Sequence, residues 1–351
     1  MPRSRPPKTT LSSQLASATA YGFVVLLVIL VIISAALLFQ AAWRGDSSTF
    51  PTFPDDKPPS TKPCVLAAVV KPTTDLLPWA VCQVRKEADD SNFHYGYGRE
   101  DITYPHPDPV GGTDKVLKIL YPKNSINPRS GRVGGLGFHT KRLPEANEAY
   151  IEYEVYFAQE FKWVKGGKLP GLYGGRIECA GGYRMVNPVS HHHPLPQPPR
   201  FTPIPLTSLC PSLMWRANSA GEAYLYVPRS EQHSTLFEYP PRTIADATYG
   251  ISLGRGGFNF RDGGWTRVGI FVGLNDVDAQ NGVLKVWIDD KEVVDFGKMV
   301  YRTQDTVRIA GVMFDTFFGG SKPGFEAAED SYTYFKNLHI ASAIPDRLID
   351  K

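Results

Sequence analysis

The sequence predicts an all-β domain, a jelly-roll β-sandwich of the concanavalin-like type, behind one N-terminal transmembrane helix. Of its 351 residues, 12% are aromatic and 62 are Gly or Pro (32 Gly, 30 Pro), a composition that favours short strands joined by turns over a helical bundle. Short runs of alternating apolar and polar residues recur along most of the chain, as expected for half-buried strands. A long apolar run near the N-terminus predicts the membrane helix.

The N-terminal apolar run predicts a retained membrane anchor at residues 20–43. Residues 20–39 carry no charge and are apolar except for Ser34 and the Tyr21 hydroxyl, and about 20 such residues let a helix cross a bilayer. A cleaved secretory signal has a shorter apolar region of about 7–15 residues, although cleavage stays an alternative. Arg3, Arg5 and Lys8 precede the run, so the positive-inside rule places residues 1–19 in the cytosol. We therefore expect a single-pass type II membrane protein whose main domain is lumenal or extracellular.

A stalk and four cysteines follow the predicted anchor. Residues 44–63 are rich in Pro, Ser, Thr and Asp, which is typical of an extended spacer. Cys64, Cys82, Cys179 and Cys210 are expected to pair in an oxidising compartment. We favour two local bridges, Cys64–Cys82 and Cys179–Cys210, although four cysteines allow three connectivities.

Charge and motif spacing exclude several partners. The net charge is +3, from 38 basic and 35 acidic residues, which leaves no excess of positive charge for a nucleic-acid backbone. Leu169 follows Lys168 where a phosphate-binding loop would need a hydroxyl. His191, His192 and His193 are adjacent and therefore converge poorly on one ion. We predict no nucleic acid, no cofactor and no metal.

The main domain, predicted at residues 64–345, contains several clear strand signals. They lie at residues 149–157, 223–228, 282–296 and 334–341. The first run places Tyr and Glu on one face and Ile151, Tyr153, Val155 and Phe157 on the other. The third predicts a hairpin that turns near Asp289–Asp290. Helical periodicity is limited to a turn near Lys322–Glu329, and no internal repeat is present.

Residues 162–178 are unusually rich in glycine. Five glycines surround Lys165, Lys168, Tyr173 and Arg176. One interpretation is a strand that passes under a bulky ligand, with Lys168 and Arg176 directed toward an anionic group. The other is a hairpin with solvated lysines.

This segment opens a series of motifs that resembles polysaccharide lyase family 14 over most of residues 110–342. In chain order, the motifs are KGGKLPGLYGG (165–175), MWR (214–216), AYLYVP (223–228), FDTFFGG (314–320) and YFKNLHI (334–340). The resemblance implies a jelly-roll fold and β-elimination on an acidic, uronate-containing polysaccharide of the alginate or glucuronan type. It also implies a secreted or surface protein of the kind found in fungi and algae.

The resemblance further implies that Lys168, Tyr224 and Tyr226 lie at the scissile bond. Elimination removes the proton at C5, which needs a cation on the neighbouring carboxylate, and protonates the departing O4. Tyr224 and Tyr226 lie two residues apart on one predicted strand, so they share a face. A nearby Lys or Arg is expected to lower the pKa of a tyrosine there. Packing or sugar stacking is the alternative role for paired tyrosines.

Other side chains are candidates for substrate binding. The predicted set is Lys165, Tyr173, Arg176, Arg216 and His139. His139 could instead be structural. Trp163 and Trp215 are candidates for stacking on sugar rings, although core aromatics give the same pattern. Asp315 is expected to end a core strand rather than act in catalysis.

One part of the chain departs from the family pattern. The family has a Ser-x-Arg pair upstream of MWR, but the matching residues here are Cys210, Pro211 and Ser212. Residues 186–209 precede them and contain seven prolines and three histidines, so we expect an insertion outside the sheet, either a loop or a gene-model error. Without the arginine, a catalytically impaired carbohydrate-binding module is the alternative function. A wall-associated structural protein without a ligand is a third.

Overall fold

The computed structural model describes residues 74–86, 93–129, 131–175, 208–246 and 249–349. The predicted cytosolic tail, anchor and stalk lie outside these residues, and so do Arg176 and most of the predicted insertion. Within the described ranges, no helix is long and apolar enough to cross a membrane.

The described chain forms fifteen strands and one α-helix. The helix is α1 (Leu77–Lys86). The strands are β1 (Phe93–Tyr97), β2 (Ile102–Pro107), β3 (Lys115–Tyr121), β4 (Leu136–Ala146), β5 (Glu148–Phe157), β6 (Gly167–Gly175), β7 (Ser208–Trp215), β8 (Ala220–Tyr226), β9 (Ile244–Ala245), β10 (Ile251–Asn259), β11 (Trp265–Gly273), β12 (Gly282–Ile288), β13 (Lys291–Met299), β14 (Ile309–Phe318) and β15 (Ser331–Ala341).

The strands form two sheets that share one core. Sheet A has eight strands in the order β1-β4-β14-β6-β7-β8-β10-β9. Sheet B has seven in the order β13-β12-β11-β5-β15-β3-β2. Phe314 of sheet A and Phe335 of sheet B meet in the core with ring centroids 5.0 Å apart. The prediction of an all-β sandwich is therefore confirmed, and the arrangement fits a jelly roll.

Alternation along β5 separates the core from the outer face of sheet B. Ile151, Tyr153, Val155 and Phe157 are fully buried, whereas Glu152 and Glu154 are half-buried on the other face. Burying one large apolar side chain contributes roughly 1.5–3 kcal/mol. The period of two predicted for this strand is confirmed over residues 151–155, whereas Tyr150 and Tyr156 on the outer face are also buried.

The two tryptophans predicted as stacking candidates differ in burial. Trp215 is fully buried, and its ring lies 5.5 Å from that of Phe157, so its interpretation as a sugar platform is wrong. Trp163 packs 4.5 Å from the same phenylalanine ring but is only half-buried, and its role in sugar stacking stays a prediction.

The β12–β13 hairpin turns where the sequence predicts. Asp289 and Asp290 have φ angles of 50° and 63°, the left-handed conformation that a two-residue type I′ turn requires at both positions. Asp tolerates this conformation better than most residues because its short side chain bonds the local backbone.

The one described helix was not predicted, and the predicted helical turn is absent. Residues 322–329 form turns and bends rather than a helix. In α1, Leu77, Ala80, Val81 and Val84 are buried at the spacing of a helix face. A helix this short owes its stability to tertiary packing rather than to propensity, which is why its sequence signal is weak.

Two of the four cysteines lie in the described residues. Cys82 is disulfide-bonded, and Cys210 is buried. Their predicted partners, Cys64 and Cys179, lie outside the described residues, so both predicted bridges stay predictions. Ser208 begins β7, so sheet A takes up the last two residues of the predicted insertion.

Candidate active site

The candidate site lies on the outer face of sheet A, which is the face opposite the core. The site extends across β6, β7, β8 and β10. The strand register sets two neighbouring rows of side chains on this face. One row runs from Lys168 through Met214 to Glu222. The next runs from Ser212 through Tyr224 to Ser252. Residues far apart in sequence thus meet on one surface.

The glycines of β6 allow this strand to fit closely between its neighbours. A Cβ on Gly167 would lie 2.0 Å from the Trp215 ring, and one on Gly171 would lie 2.1 Å from the Pro211 carbonyl oxygen. Both positions therefore require glycine. The glycine-rich segment forms strand β6, as the first of the two interpretations expects, and Lys168 is buried rather than solvated. The part of that interpretation that concerns a bound ligand stays a prediction.

Lys168 contacts both tyrosines predicted to act with it. Its Nζ donates a hydrogen bond of 2.6 Å to Ser212 Oγ. The same atom lies 5.3 Å from the Tyr224 ring centroid and 5.0 Å from that of Tyr226. The two tyrosine rings meet edge to face with centroids 5.3 Å apart. The structure therefore brings together the three side chains predicted as catalytic.

Burial changes the acid strength of Lys168. The side chain is only 4% exposed, and desolvation lowers the pKa of Lys168 to about 8. Electrostatic interactions with Asp315 and Cys210 oppose the lowering of the Lys168 pKa, whereas Arg216 adds to it. The ammonium is still charged at neutral pH, but it loses its proton within a range that an assay can reach.

Tyr224 is held through its hydroxyl oxygen. Gly250 N donates a hydrogen bond of 3.2 Å to this oxygen, and Tyr226 also bonds to it. Burial raises the pKa of Tyr224 above its usual value, while Arg216, the Gly250 amide and Tyr226 oppose the rise. The expectation of a lowered tyrosine pKa is wrong for Tyr224 because desolvation outweighs the nearby cations.

A network of charges surrounds Glu222 beside the tyrosines. Glu222 is fully buried, and its carboxylate binds Arg216 Nη2 at 2.5 Å and Arg255 Nε at 2.6 Å. Ser252 Oγ donates a further hydrogen bond to it. Arg216 Cζ lies 5.7 Å from the Tyr224 ring centroid. The prediction that Arg216 belongs to the site agrees with this position.

Sequence analysis missed Arg255 and Glu222. Arg255 lies in a bulge of β10, where Gly254 and Gly256 have φ angles of 64° and 83°. The register shifts there, between Leu253 and Phe258. The signal was an arginine flanked by glycines inside a strand, which often marks a bulge.

His139 and Tyr173 lie farther along the same sheet. The His139 ring meets the Tyr173 ring edge to face at 5.1 Å. Tyr173 is fully buried and packs with Cys210 and Met313. Burial raises the pKa of Tyr173. The structure therefore places Tyr173 beneath the surface, where it supports His139 instead of stacking on sugar.

Lys165 does not join Lys168. Its Nζ donates a 2.9 Å hydrogen bond to the Pro323 carbonyl oxygen and lies 5.2 Å from the Phe325 ring centroid. Lys165 thus anchors the loop after β14. Arg176, the remaining predicted binding residue, lies outside the described residues.

Asp315 belongs to the site, although the sequence analysis set it aside. Tyr97 Oη donates a 3.3 Å hydrogen bond to Asp315 Oδ1. Gly137 makes room for this pair, because a Cβ there would lie 2.1 Å from the Tyr97 ring. Burial raises the pKa of Asp315 to about 6, and the charge of Lys168 opposes the rise. At neutral pH, Asp315 therefore adds negative charge near Lys168.

Two loops meet across this face. Tyr249, just before β10, and Ser321, after β14, have their hydroxyl oxygens 3.1 Å apart. Strands β6, β7 and β8 separate β14 from β10 in the sheet. The contact therefore spans the part of the face that carries Lys168 and the tyrosines.

No metal centre is found in the part of the chain that the structure describes. There, no three His, Cys, Asp or Glu side chains form a group that could hold a metal ion. His191, His192 and His193 lie outside it.

Solved structures share this fold. A marine family 14 alginate lyase from Aplysia kurodai is 27% identical, with a TM-score of 0.60, and the match covers 72% of this chain and 91% of that one. An alginate lyase from a Chlorella virus is 20% identical, with a TM-score of 0.58, covering 75% and 97%. At that identity the second match concerns the fold alone. No curated protein sequence matches the chain.

The sequence profile described as polysaccharide lyase 14 matches residues 110–192 and 207–338, more than half of the chain. The matched ranges include β6, β7, β8, β10 and β14, which carry Lys168, Ser212, Tyr224, Arg255 and Asp315. The unmatched stretch 193–206 falls within the predicted insertion. The chain belongs to polysaccharide lyase family 14.

Proposed function

We propose that this protein cleaves an acidic, uronate-containing polysaccharide of the alginate or glucuronan type by β-elimination on the outer face of sheet A. The observation that carries the proposal is the convergence of Lys168, Tyr224 and Tyr226 around a buried ammonium group. Family membership and the likeness to an alginate lyase at 27% identity support it.

Lys168 supplies the electrostatic part of the proposed reaction. Its ammonium group binds the uronate carboxylate at C5 and withdraws electron density, which makes the C5 proton more acidic. The site is desolvated, so this interaction is stronger than it would be in water. Ser212 fixes the position of the ammonium group through its 2.6 Å hydrogen bond.

The tyrosines divide the proton transfers. Tyr224 is the proposed base, because the Gly250 amide and Tyr226 both bond to its oxygen and stabilise the phenolate. Its raised pKa makes that phenolate a strong base once formed. Tyr226 is the proposed acid. Tyr224 takes the C5 proton as the C5–H and C4–O4 bonds break and a C4–C5 double bond forms, and O4 takes the proton from Tyr226. The proton on Tyr224 then passes to Tyr226 through the hydrogen bond between the two side chains, which restores both groups.

A catalytically impaired carbohydrate-binding module is the second candidate. It is favoured by Ser212, which lies where the family pattern has an arginine and bonds to Lys168 instead. Loss of one such electrostatic contact lowers turnover by about a hundredfold to a thousandfold. This candidate retains polymer binding without measurable cleavage.

The site of action is a separate proposal. We place the domain in the lumen or outside the cell, behind the anchor predicted at residues 20–43. The disulfide at Cys82 supports an oxidising compartment. Protease treatment of sealed vesicles tests this proposal, because only a lumenal domain stays intact until detergent is added.

The first experiment follows the product double bond. Full-length protein in detergent is incubated with glucuronan and, separately, with alginate, and ultraviolet absorbance is recorded. We expect a rise that is lost in Lys168→Ala and in the double variant Tyr224→Phe/Tyr226→Phe. Lys285→Ala, at a half-buried lysine that pairs with Glu292 and Asp295 on sheet B, is the matched control. Binding without any rise would favour the second candidate.

A further inference from the structure

We propose that Arg255, together with Arg216 and positioned by Glu222, binds the carboxylate of a second uronate in the same polymer. The preferred substrate is then a chain that carries carboxylates on successive sugars. This inference rests on the proposed function but concerns a different part of the outer face of sheet A.

The charges around Glu222 do not cancel. One fully buried carboxylate binds two guanidinium groups, at 2.5 Å and 2.6 Å, so the cluster keeps one net positive charge. The side chains of Arg216 and Arg255 are 14% and 29% exposed, whereas Glu222 is not exposed. The surplus charge is therefore presented at the surface, and the acidic group lies beneath it.

Arg255 is too far from Lys168 to share one carboxylate with it, whereas Arg216 lies over the same tyrosine ring as Lys168. Strands β7 and β8 lie between β6, which carries Lys168, and β10, which carries Arg255. Neighbouring strands lie about 4.8 Å apart, so β10 is about 14 Å from β6. A polymer crossing the strands therefore reaches Lys168 and Arg255 with different sugars.

The position of Arg255 is fixed by the backbone. The bulge begins at Gly254, and Arg255 N donates a 2.8 Å hydrogen bond to the Arg242 carbonyl oxygen. Arg255 Nε and Nη2 also donate to Ser252 Oγ at 3.0 Å and 2.9 Å. A guanidinium held in this way loses little conformational entropy when it binds a carboxylate, and its planar donors suit that group.

A cluster of ion pairs that only stabilises the fold would show the same contacts. The test therefore compares substrates of different length. Long polyglucuronate and alginate are compared with their disaccharides and trisaccharides, using the full chain. For Arg255→Ala, we expect KM for the polymer to rise at least tenfold, as one charge-assisted hydrogen bond is lost, with kcat unchanged. The shortest substrates that span only Lys168 and the tyrosines should show no change, and Arg255→Lys should recover part of the loss.

Arg261→Ala is the matched control, because Arg261 is exposed and pairs with Asp289. Thermal melting checks that each variant folds, and Arg255→Lys keeps the test valid if Arg255→Ala does not. The inference is overturned if Arg255→Ala leaves KM for the polymer unchanged, or if it raises KM equally for substrates of all lengths. If the parent protein binds polymer without cleaving it, the proposed function fails, and the same comparison is made with dissociation constants.

Discussion

The outer faces of the two sheets carry similar residues in very different surroundings. On sheet B, Lys285 pairs with Glu292 and Asp295 at 3.0 Å, and the three side chains are 28%, 40% and 51% exposed. On sheet A, Lys168 and Glu222 are 4% and 0% exposed. Exposed pairs contribute about 0–1 kcal/mol, whereas burying a charge costs several kcal/mol before any partner compensates. The same residue types are thus solvated on one sheet and desolvated on the other.

This difference bears on why sheet A carries buried charges, because stability does not require them. A fold selected for stability alone gains little from a buried lysine, since an apolar residue of similar volume would serve. Desolvated charges strengthen electrostatic interactions with a bound substrate. The buried charges on the outer face of sheet A therefore lower the stability of the fold at the positions where we place the reaction.

The largest expected contrast is between Lys168→Met and Lys285→Met. Lys168→Met should lower turnover by about a hundredfold to a thousandfold, because the substrate carboxylate loses its cation. The same variant should be more stable than the parent at pH 7, because burial lowers the pKa of Lys168 and methionine carries no charge to desolvate. Lys285→Met should change neither quantity appreciably. Product absorbance and urea unfolding measure the two effects, and a destabilised Lys168→Met would contradict the argument.

A second contrast concerns acidic residues. Glu222→Gln leaves Arg216 and Arg255 without a counter-charge, so the free energy of unfolding should fall by about 3–5 kcal/mol. Asp289→Asn removes an exposed pair with Arg261 and should cost no more than about 1 kcal/mol. Chemical denaturation measures the free energy of unfolding of both variants. Equal losses of stability would contradict the expectation that the buried network loses more than the exposed pair.

Binding should depend on pH through Lys168. The pKa of Lys168 is lowered to about 8, so the ammonium charge is present below that pH and is lost as pH rises through it. In the inactive Tyr224→Phe/Tyr226→Phe variant, oligouronate affinity should therefore weaken between pH 7 and pH 9. Adding Lys168→Arg should remove most of this dependence, because arginine stays charged. Calorimetric titration at several pH values measures it, and affinity that is constant up to pH 9 would refute the assignment.

The smallest expected effect comes from Asp315→Asn. Negative charge at Asp315 opposes the lowering of the pKa of Lys168, so removing that charge should move the midpoint of the binding curve to lower pH. Asp295→Asn, on the exposed face of sheet B, should leave the midpoint in place. A shift to higher pH in Asp315→Asn would show that Asp315 acts on binding by another route.

Sequence patterns predicted the sandwich because strand periodicity is local. Buried and half-buried residues alternate over 151–155 of β5, and the Asp289–Asp290 turn has its own conformational preference. Helix α1 was missed because its stability depends on contacts with distant elements. Its first amide donates to Asp75, which also accepts a hydrogen bond from Leu338 N in β15.

The sequence predicted the site residues that lie in family motifs and missed those that do not. Lys168, Tyr224 and Tyr226 lie in motifs that the family shares. Glu222 lies two residues before Tyr224 on β8, so in the sequence it looks like an ordinary polar residue of a strand. Only the register with β7 and the bulge in β10 bring two arginines to it, and neither is visible in a local pattern.

The hydrogen bond from the Gly250 amide to Tyr224 Oη has a consequence for mutational mapping. Its donor is a main-chain atom, so no exchange of side chains removes it while the backbone keeps its path. Alanine at position 250 does not isolate this contact either, because its Cβ would lie 2.6 Å from the Leu225 carbonyl oxygen and would displace the backbone. An ester in place of the Gly250 amide is the change that reveals the contribution of the backbone to the acidity of the tyrosine.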